Sequence, residues 1–288
     1  MKGNGLLSVL TFSEKRKGIL FFLQECPHTL SEINDYFDIG TTESIPRLKE
    51  LIAGKMVIKQ DDMYRLTKLG EIMAVNYKLF LDTVEAIERN ADFWEKHDLS
   101  VLPERFLYDL KKLKSCNVVT SKNYKIGESH PEFIRNVKVA KKIKGVTSVI
   151  NSGWAGTFID LASRNVHIEI IVTMDVYEDI LKEYPDKLEK LLSNKNAHIY
   201  VCDDDIKIAF ASMQGDGGPF LSLGLYNINT HCYDNTNDLE GNDYESMKWG
   251  DELFEYYKES SVEIEMMPEQ NEYLNCETDT ETMELNPL

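Results

Sequence analysis

Residues 13–70, SEKRKGILFFLQECPHTLSEINDYFDIGTTESIPRLKELIAGKMVIKQDDMYRLTKLG, contain the pattern that decides the fold of the first part of the chain. Ser13 is an N-cap residue type, and apolar side chains follow it at helical spacing as far as Pro27. Thr29 and Glu32 form a capping-box pattern, which predicts the start of a second helix.

A third helix is predicted between the turn at 38–40 and Gly54, a residue type that often ends helices. Apolar β-type residues at 56–59 and 63–66 then flank the polar turn 60–62, which predicts a hairpin. Three short helices followed by a two-stranded ribbon are the plan of a winged helix-turn-helix, in which the third helix lies in the DNA major groove.

The third helix and the ribbon supply the candidate DNA-binding residues. Hydroxyl and cationic side chains are the types that contact phosphates and base edges, and an arginine can bind guanine in a bidentate way. The predicted set is Thr41, Thr42, Ser44, Arg47, Lys49, Lys59 and Arg65. Further positive charge is expected at 15–17 on the first helix and at Lys55.

The charge distribution argues against strong DNA binding by a single module. Residues 1–75 contain ten Lys or Arg and ten Asp or Glu, so the predicted module is neutral, whereas strong phosphate binding normally requires a basic patch. The net charge of the chain is −17, of which −9 comes from residues 259–288. The segment 261–288 is predicted to be a disordered acidic tail that aids solubility or competes with DNA for basic side chains.

Composition limits the other function classes. No apolar run approaches the roughly 20 residues needed to span a membrane, and residues 2–5 lack a signal-peptide pattern, so we expect a cytoplasmic protein. The five cysteines are scattered without a Cys-x-x-Cys pair, which argues against a zinc knuckle or a disulfide framework. No metal and no cofactor are predicted.

A long helix is predicted over 67–96, with apolar residues at approximate helical spacing. Such a helix can pair with its twin in a homodimer, which suits a protein that reads two half-sites, or it can pack on its own chain. The predicted organisation is a winged helix at 1–75, a helical linker or dimerisation segment at 76–114, an α/β regulatory domain at 115–260 and the tail at 261–288.

Four segments resemble the archaeal winged-helix transcription regulators typified by the methanogenesis regulatory protein. They are SEKRK at 13–17, FWEKHDLS at 93–100 with Pro103 and Glu104, YVCDDDIK at 200–207 and KWGDELFEYY at 248–257. The resemblance covers approximately residues 6–260. It implies a DNA reader followed by a regulatory domain, and it transfers no catalytic or ligand residues.

The region 115–260 shows alternating strand and helix patterns, which predict an α/β domain with a largely parallel sheet. Strands are predicted at 145–150, 167–173, 197–202, 206–211 and 220–226, and helices at 137–143, 157–163, 176–192 and 244–257. The arrangement is similar to degenerate phospholipase D-like sensor domains. Active members of that fold need a His-x-Lys pair, and none of the six histidines has Lys two positions later.

An effector pocket is predicted near Ser152, Trp154 and Thr157, because a strand-to-helix connection can offer backbone N–H groups to an anion. Alternatively, Trp154 fills the core. The triple aspartate at 203–205 is interpreted as a solvated turn in preference to a cation site.

The sequence therefore predicts a dimeric transcription regulator that binds double-stranded DNA and responds to a small-molecule or protein effector. Two alternatives stay open. One is an interaction adaptor whose winged helix does not bind DNA, and the other is a small-molecule enzyme with an appended helical domain.

Overall fold

The computed structural model of the protein describes residues 5–120, 131–150 and 154–265. The chain divides into two compact units. The first unit comprises Met1–Glu95 and Leu102–Asn117, and the second unit comprises Lys96–Val101 and Val118–Leu288. The greater part of the predicted acidic tail, residues 266–288, lies outside the described residues.

The first unit is mainly helical and contains a three-stranded sheet of order β1-β3-β2. Its elements are α1 (Leu6–Thr11), α2 (Glu14–Glu25), β1 (His28–Thr29), α3 (Leu30–Phe37), α4 (Thr41–Ala53), β2 (Val57–Gln60), β3 (Met63–Leu66), α5 (Lys68–Arg89), α6 (Ala91–Lys96), α7 (Glu104–Leu107) and a 3-10 helix at Leu110–Leu113.

Local sequence signals start and stop these elements as predicted. The Ser13 side chain accepts a hydrogen bond from the backbone N–H of Arg16, and Thr29 with Glu32 forms a complete capping box. Asp61 and Asp62 both have positive φ, which is the conformation that a two-residue hairpin turn requires between β2 and β3. The predicted winged helix-turn-helix is confirmed.

The helices and the ribbon of the first unit pack around one apolar core. Gly18 of α2 lies so close to the Phe37 ring of α3 that a Cβ atom would be 2.8 Å from it, which keeps the two helices in close contact. The buried core residues are Val9, Leu10, Ile19, Leu20, Leu23, Ile33, Leu48, Leu51, Met56, Val57, Tyr64 and Ala74.

The prediction of one continuous helix over 67–96 is wrong, because this segment forms two helices. The helix is interrupted at Asn90, whose side chain is buried and donates a hydrogen bond of 2.9 Å to the Cys116 carbonyl. A buried amide that bonds to a distant carbonyl fixes the break between α5 and α6. Much of the predicted linker at 76–114 packs within the first unit, where α5 lies against the 3-10 helix Leu110–Leu113.

The second unit is built on an eight-stranded sheet of order β11-β7-β6-β5-β8-β9-β10-β4. The strands are β4 (Asn117–Thr120), β5 (Ala140–Thr147), β6 (His167–Thr173), β7 (Ala197–Cys202), β8 (Ile208–Gly215), β9 (Gly218–Leu225), β10 (Asn237–Gly241) and β11 (Ser261–Glu263). The helices are α8 (Pro131–Val139), α9 (Trp154–Ser163), α10 (Met174–Glu183), α11 (Pro185–Leu192) and α12 (Tyr244–Lys258).

The expected largely parallel sheet is corrected to a mixed one. The β5–β6 and β6–β7 pairs are parallel, whereas β5–β8, β8–β9, β9–β10 and β7–β11 are antiparallel. For the β8–β9 pair the cause is a tight hairpin in which Gly215 pairs with Gly218. A parallel connection would need a crossover of a dozen or more residues.

Two predicted boundaries also move. The helix expected at 137–143 ends at Val139, and the strand expected from 145 begins at Ala140. Lys144 obscured the strand pattern, because it is buried in β5 and pairs with Glu255. The segment from 261, expected to be disordered, begins as the edge strand β11, which pairs with β7.

Helices cover both faces of the sheet. On one face α8 to α11 pack against the main apolar core, which includes Ile143, Ile170 and Phe220. On the other face α12 contacts β5 to β9, and it contributes the fully buried Trp249 and Phe254.

Candidate nucleic-acid interface

The outward face of α4 is formed by residues at helical spacing. Thr42, Pro46, Lys49 and Ala53 are exposed and lie at i, i+4, i+7 and i+11, so that they share one side of the helix. Thr41 is also exposed, and its hydroxyl is 3.3 Å from the Asn34 amide nitrogen of α3. This face has one cation, Lys49, and the exposed Glu50 follows it directly on the helix.

Ser44 lies on the opposite side of α4. Its relative exposure is 0%, and its hydroxyl donates to the Gly40 carbonyl at 3.4 Å. The expectation that Ser44 points outward is therefore wrong. The helical phase explains this, because Ser44 shares its face with the core residues Leu48 and Leu51.

Arg47 is partly buried and is held by its own helix. One guanidinium nitrogen donates to the Glu43 carbonyl at 2.5 Å, and another lies 3.2 Å from the Glu43 carboxylate. Its Nε is buried and makes no hydrogen bond within the part of the chain that the structure describes. Arg47 can reach DNA only after it leaves Glu43, so its role as a base reader is less direct than the sequence suggested.

Arg16 of α2 was expected to add surface charge, but it is an internal anchor. The side chain is buried, and it donates to the carbonyls of Val9 and Ser8 and pairs with Glu50 of α4. Burial and the nearby charge of Arg47 lower the pKa of Arg16. Its guanidinium connects α1, α2 and α4, which fixes the helix that carries the outward face.

Several charged side chains of this neutral module form ion pairs. Lys15 lies 3.3 Å from Glu43, and Lys17 pairs with Glu14 of the same helix. These carboxylates are therefore next to cations and do not form a separate acidic patch. Lys49, Lys55 and Arg65 are exposed, and no ion pair is found for them among the described residues.

The wing carries two of the predicted residues on exposed positions. Arg65 of β3 is exposed. Lys59 of β2 is exposed too, and its ammonium lies 2.8 Å from the Asp62 carboxylate and 5.7 Å from the centroid of the Tyr64 ring. The hydrogen bond and the charge of Asp62 raise the pKa of Lys59. The structure thus brings Thr41, Thr42, Lys49, Lys59 and Arg65 to the surface of the helix and its wing.

The predicted effector residues are only partly described. Ser152 lies outside the described residues, and Trp154 is described only as the first residue of α9. Thr157 lies on α9 and is partly buried. The predicted pocket at this position stays a prediction.

Metal sites and membrane-spanning helices are two further classes of feature. No group of three or more His, Cys, Asp or Glu side chains within 5–120, 131–150 and 154–265 is arranged to hold a metal ion. Among the helices that the structure describes, none combines the length and the apolar content needed to cross a membrane.

Comparisons with known proteins match both units. The N-terminal domain of the methanogenesis regulatory protein FilR1 matches residues 5–85, and the middle domain of the same protein matches residues 126–260. The first range contains the winged helix and most of α5. The second contains α8 to α12 and strands β5 to β10.

One relative aligns along most of the chain. The methanogenesis regulatory protein FilR1 of Methanothrix harundinacea (strain 6Ac) is 23% identical over 263 residues, which cover 90% of this chain and 58% of the relative. The chain thus spans somewhat more than half of that protein's length. A solved structure, titled "Structure of TrmBL2, an archaeal chromatin protein, shows a novel mode of DNA binding", covers 83% of this chain and 88% of its own, with 13% identity. Its TM-score is 0.41, at which the similarity supports no conclusion about this chain.

Proposed function

We propose that this chain, which belongs to the family of the methanogenesis regulatory protein FilR1, is a dimeric transcription regulator that binds double-stranded DNA through its winged helix. The observation that carries the proposal is the exposed face of α4, followed directly by a wing with cationic side chains. In this arrangement α4 enters the major groove and the wing contacts the adjacent backbone.

The five surface residues have different roles in the proposal. Thr41, Thr42 and Lys49 contact base edges or phosphates from α4, and Lys59 and Arg65 contact phosphates from the wing. Arg47 joins them only if DNA displaces its contact with Glu43. Ser44 has no role at the interface, because it is buried.

The charge balance favours a dimer. Since a single neutral module binds phosphates weakly, two copies are needed for tight binding. Helix α5 offers a surface for a second copy, because large apolar side chains that are 40–59% exposed follow one side of it. They are Leu69, Ile72, Val75, Leu79, Phe80 and Ile87.

The second unit is proposed to sense an effector and to change DNA affinity. Such coupling is typically about 1–3 kcal/mol between two sites. Support comes from the match of this unit to the middle domain of a regulatory protein. The chain acts in this proposal by binding and not by catalysis.

The first test is fluorescence anisotropy with a duplex from the upstream region of the chain's own gene and a scrambled duplex, over a salt series. Specific binding whose ratio between duplexes persists as salt rises supports a regulator. Equal, weak binding that disappears at moderate salt would instead favour the adaptor, which the neutral charge of the winged helix makes a real competitor.

Substitution of Lys49 by Ala locates the interface. We expect a loss of about 1 kcal/mol in DNA binding and a decrease of about one in the slope of log K against log salt, if Lys49 contacts a phosphate. Lys195→Ala is the matched control, because Lys195 is an exposed lysine of the second unit. Equal affinities for the two variants would remove α4 from the interface.

A further inference from the structure

The row of residues that crosses the second sheet at Gly145 has an unusual composition. By strand register Gly145 of β5 pairs with Ala211, Ala211 with Ser222 and Ser222 with Glu240 of β10. Three small residues thus lead across the sheet to one carboxylate. Ala211 belongs to the apolar core, as do the larger Ile143, Met213 and Phe220 of the neighbouring row.

The row on the other side is also small. Thr147 pairs with Ala209 and Ala209 with Gly224. A Cβ atom at Gly224 would lie 2.0 Å from the Tyr233 hydroxyl and 2.8 Å from the Asp238 carboxylate, so only glycine admits these polar groups. The Tyr233 hydroxyl therefore occupies the space over Gly224 beside Asp238, and the short side chains in the row of Glu240 are those of Ser222 and Ala211.

Glu240 is a buried acid with one oxygen that makes no hydrogen bond in the described part of the chain. Its relative exposure is 4%, and the oxygen in question is Oε1. Buried polar atoms are nearly always hydrogen-bonded, and leaving one unsatisfied costs about 1–3 kcal/mol. An unsatisfied carboxylate oxygen in a well-packed sheet therefore indicates a missing partner.

The charged groups around Glu240 define what that partner must be. Asp238 lies two residues earlier on the same strand, and the Ser222 hydroxyl is 3.5 Å from the Asp238 carboxylate. Arg135 of α8 is the cation that acts on Glu240, but its guanidinium is 70% exposed and pairs with Glu132. Desolvation and the charge of Asp238 raise the pKa of Glu240 to about 7, and Arg135 lowers it only in part.

We propose that this face of the sheet binds a small organic cation with N–H donors, and that Glu240 is its counter-ion beside Asp238 and Ser222. A cation satisfies Oε1, neutralises one of two adjacent acids and lies beside Ser222 and Ala211, the short side chains in the row of Glu240. A bare metal ion is less suitable, because no third acidic, cysteine or histidine ligand joins the two carboxylates within the described residues. The site would serve the effector sensing proposed above, but its existence does not depend on DNA binding.

The test is isothermal titration calorimetry with agmatine, which carries an ammonium and a guanidinium group, on the DNA-free full chain at pH 7. Because the cation binds the ionised form of Glu240, the protonated fraction loses its proton on binding, and at a pH near the pKa we expect release of about half a proton per agmatine bound. Titrations in phosphate and in HEPES buffers, which differ in ionisation enthalpy and carry no net positive charge, measure this number. Tetramethylammonium, a cation without N–H donors, is expected to bind at least tenfold more weakly.

Variants separate this site from general attraction to an acidic protein. Glu240→Gln is expected to weaken agmatine binding at least tenfold and to abolish proton release, whereas Glu178→Gln, at an exposed glutamate of α10, retains both. Ser222→Val fills the row and blocks binding while it leaves the carboxylate in place. Thermal unfolding of each variant verifies that it folds.

Agmatine binding that Glu240→Gln leaves unchanged would overturn the proposal, as would the absence of agmatine binding to the native chain. Magnesium that competes fully with agmatine would also overturn it in favour of a metal site. Affinity for DNA without agmatine is expected to be the same for Glu240→Gln and the native chain. A failure of DNA recognition is thereby distinguished from a failure of this site.

Discussion

Arg16 of the first unit and Glu240 of the second unit are both more than nine-tenths buried, with relative exposures of 7% and 4%, but their hydrogen bonding among the described residues differs. Arg16 bonds to two backbone carbonyls and to Glu50, whereas an oxygen of Glu240 has no hydrogen bond among the described residues. A satisfied buried charge fixes the structure, and an unsatisfied one points to a molecule that is not part of the chain.

A third buried charge refines the comparison. Glu169 on β6 is 8% exposed and lies in the same sheet as Glu240. The Lys258 ammonium of α12 is 2.5 Å from one Glu169 oxygen, and His167 is 3.2 Å from the other. Burial alone raises the pKa of Glu169, but these two partners and the charge of Lys144 outweigh it, and the net pKa is lowered. The pKa values of two buried glutamates of one sheet are therefore shifted in opposite directions.

The largest expected effect is the pH dependence contributed by Glu240. Its pKa is about 7 in the folded state and 4.5 in the unfolded state, so folding is destabilised progressively as pH rises from 4.5 to 7. The full cost above pH 7 is about 3 kcal/mol, since one pKa unit is about 1.4 kcal/mol. Glu240→Gln removes this cost, so the variant should be more stable than the native chain at pH 8 and equal to it at pH 4.5.

Urea unfolding followed by circular dichroism at the two pH values measures the difference. Glu178→Gln, at an exposed position, should leave stability unchanged at both. If Glu240→Gln destabilised the chain at pH 8, Glu240 would have to be a paired structural carboxylate like Glu169, and the comparison would fail.

The second effect concerns the anchor of the first unit. Arg16→Met retains a long apolar stem but leaves the carbonyls of Val9 and Ser8 without their donor. We expect these unsatisfied carbonyls to lower the unfolding free energy by about 2 kcal/mol. The loss is not larger, because Glu50 is 46% exposed and can be solvated after its partner is removed. Urea unfolding provides the value.

Arg65→Met is the matched control, because Arg65 is exposed on the wing, and a change within about 0.5 kcal/mol is expected. A DNA-binding assay should also distinguish the two variants. Arg65→Met should weaken DNA binding without loss of stability, whereas similar stability losses for both variants would show that Arg16 is not a special anchor.

The first unit could be predicted well because its signals are local. The cap at Ser13, the capping box of Thr29 with Glu32 and the turn at Asp61 each act within a few residues. The strand β1 was missed, since two residues carry no periodicity and pair with β3 only in the tertiary structure. Ser44 was misplaced although its spacing from Leu48 and Leu51 contains the correct helical phase.

The second unit shows where sequence reasoning stops. Gly145, Ala211, Ser222 and Glu240 come from four strands, and only the register of the sheet brings them into one row. No local pattern marks Glu240, because a carboxylate in a short strand normally indicates a solvated edge. The mixed direction of the sheet was missed for a similar reason, since it depends on which strands are neighbours.

The smallest of the three effects tests the paired glutamate. A lowered pKa means that Glu169 stabilises the fold at pH values above about 4.5, and that this contribution is lost as pH falls through its folded pKa. Glu169→Gln should cost about 1–2 kcal/mol at pH 7, because the variant loses a charge-assisted hydrogen bond with Lys258 and leaves that ammonium unpaired. At pH 3 the two proteins should differ less, which urea unfolding can measure against Glu178→Gln. The expected change in unfolding free energy has the opposite sign to that for Glu240→Gln. If Glu169→Gln stabilised the chain at pH 7, burial and not pairing would determine the contribution of both glutamates to stability.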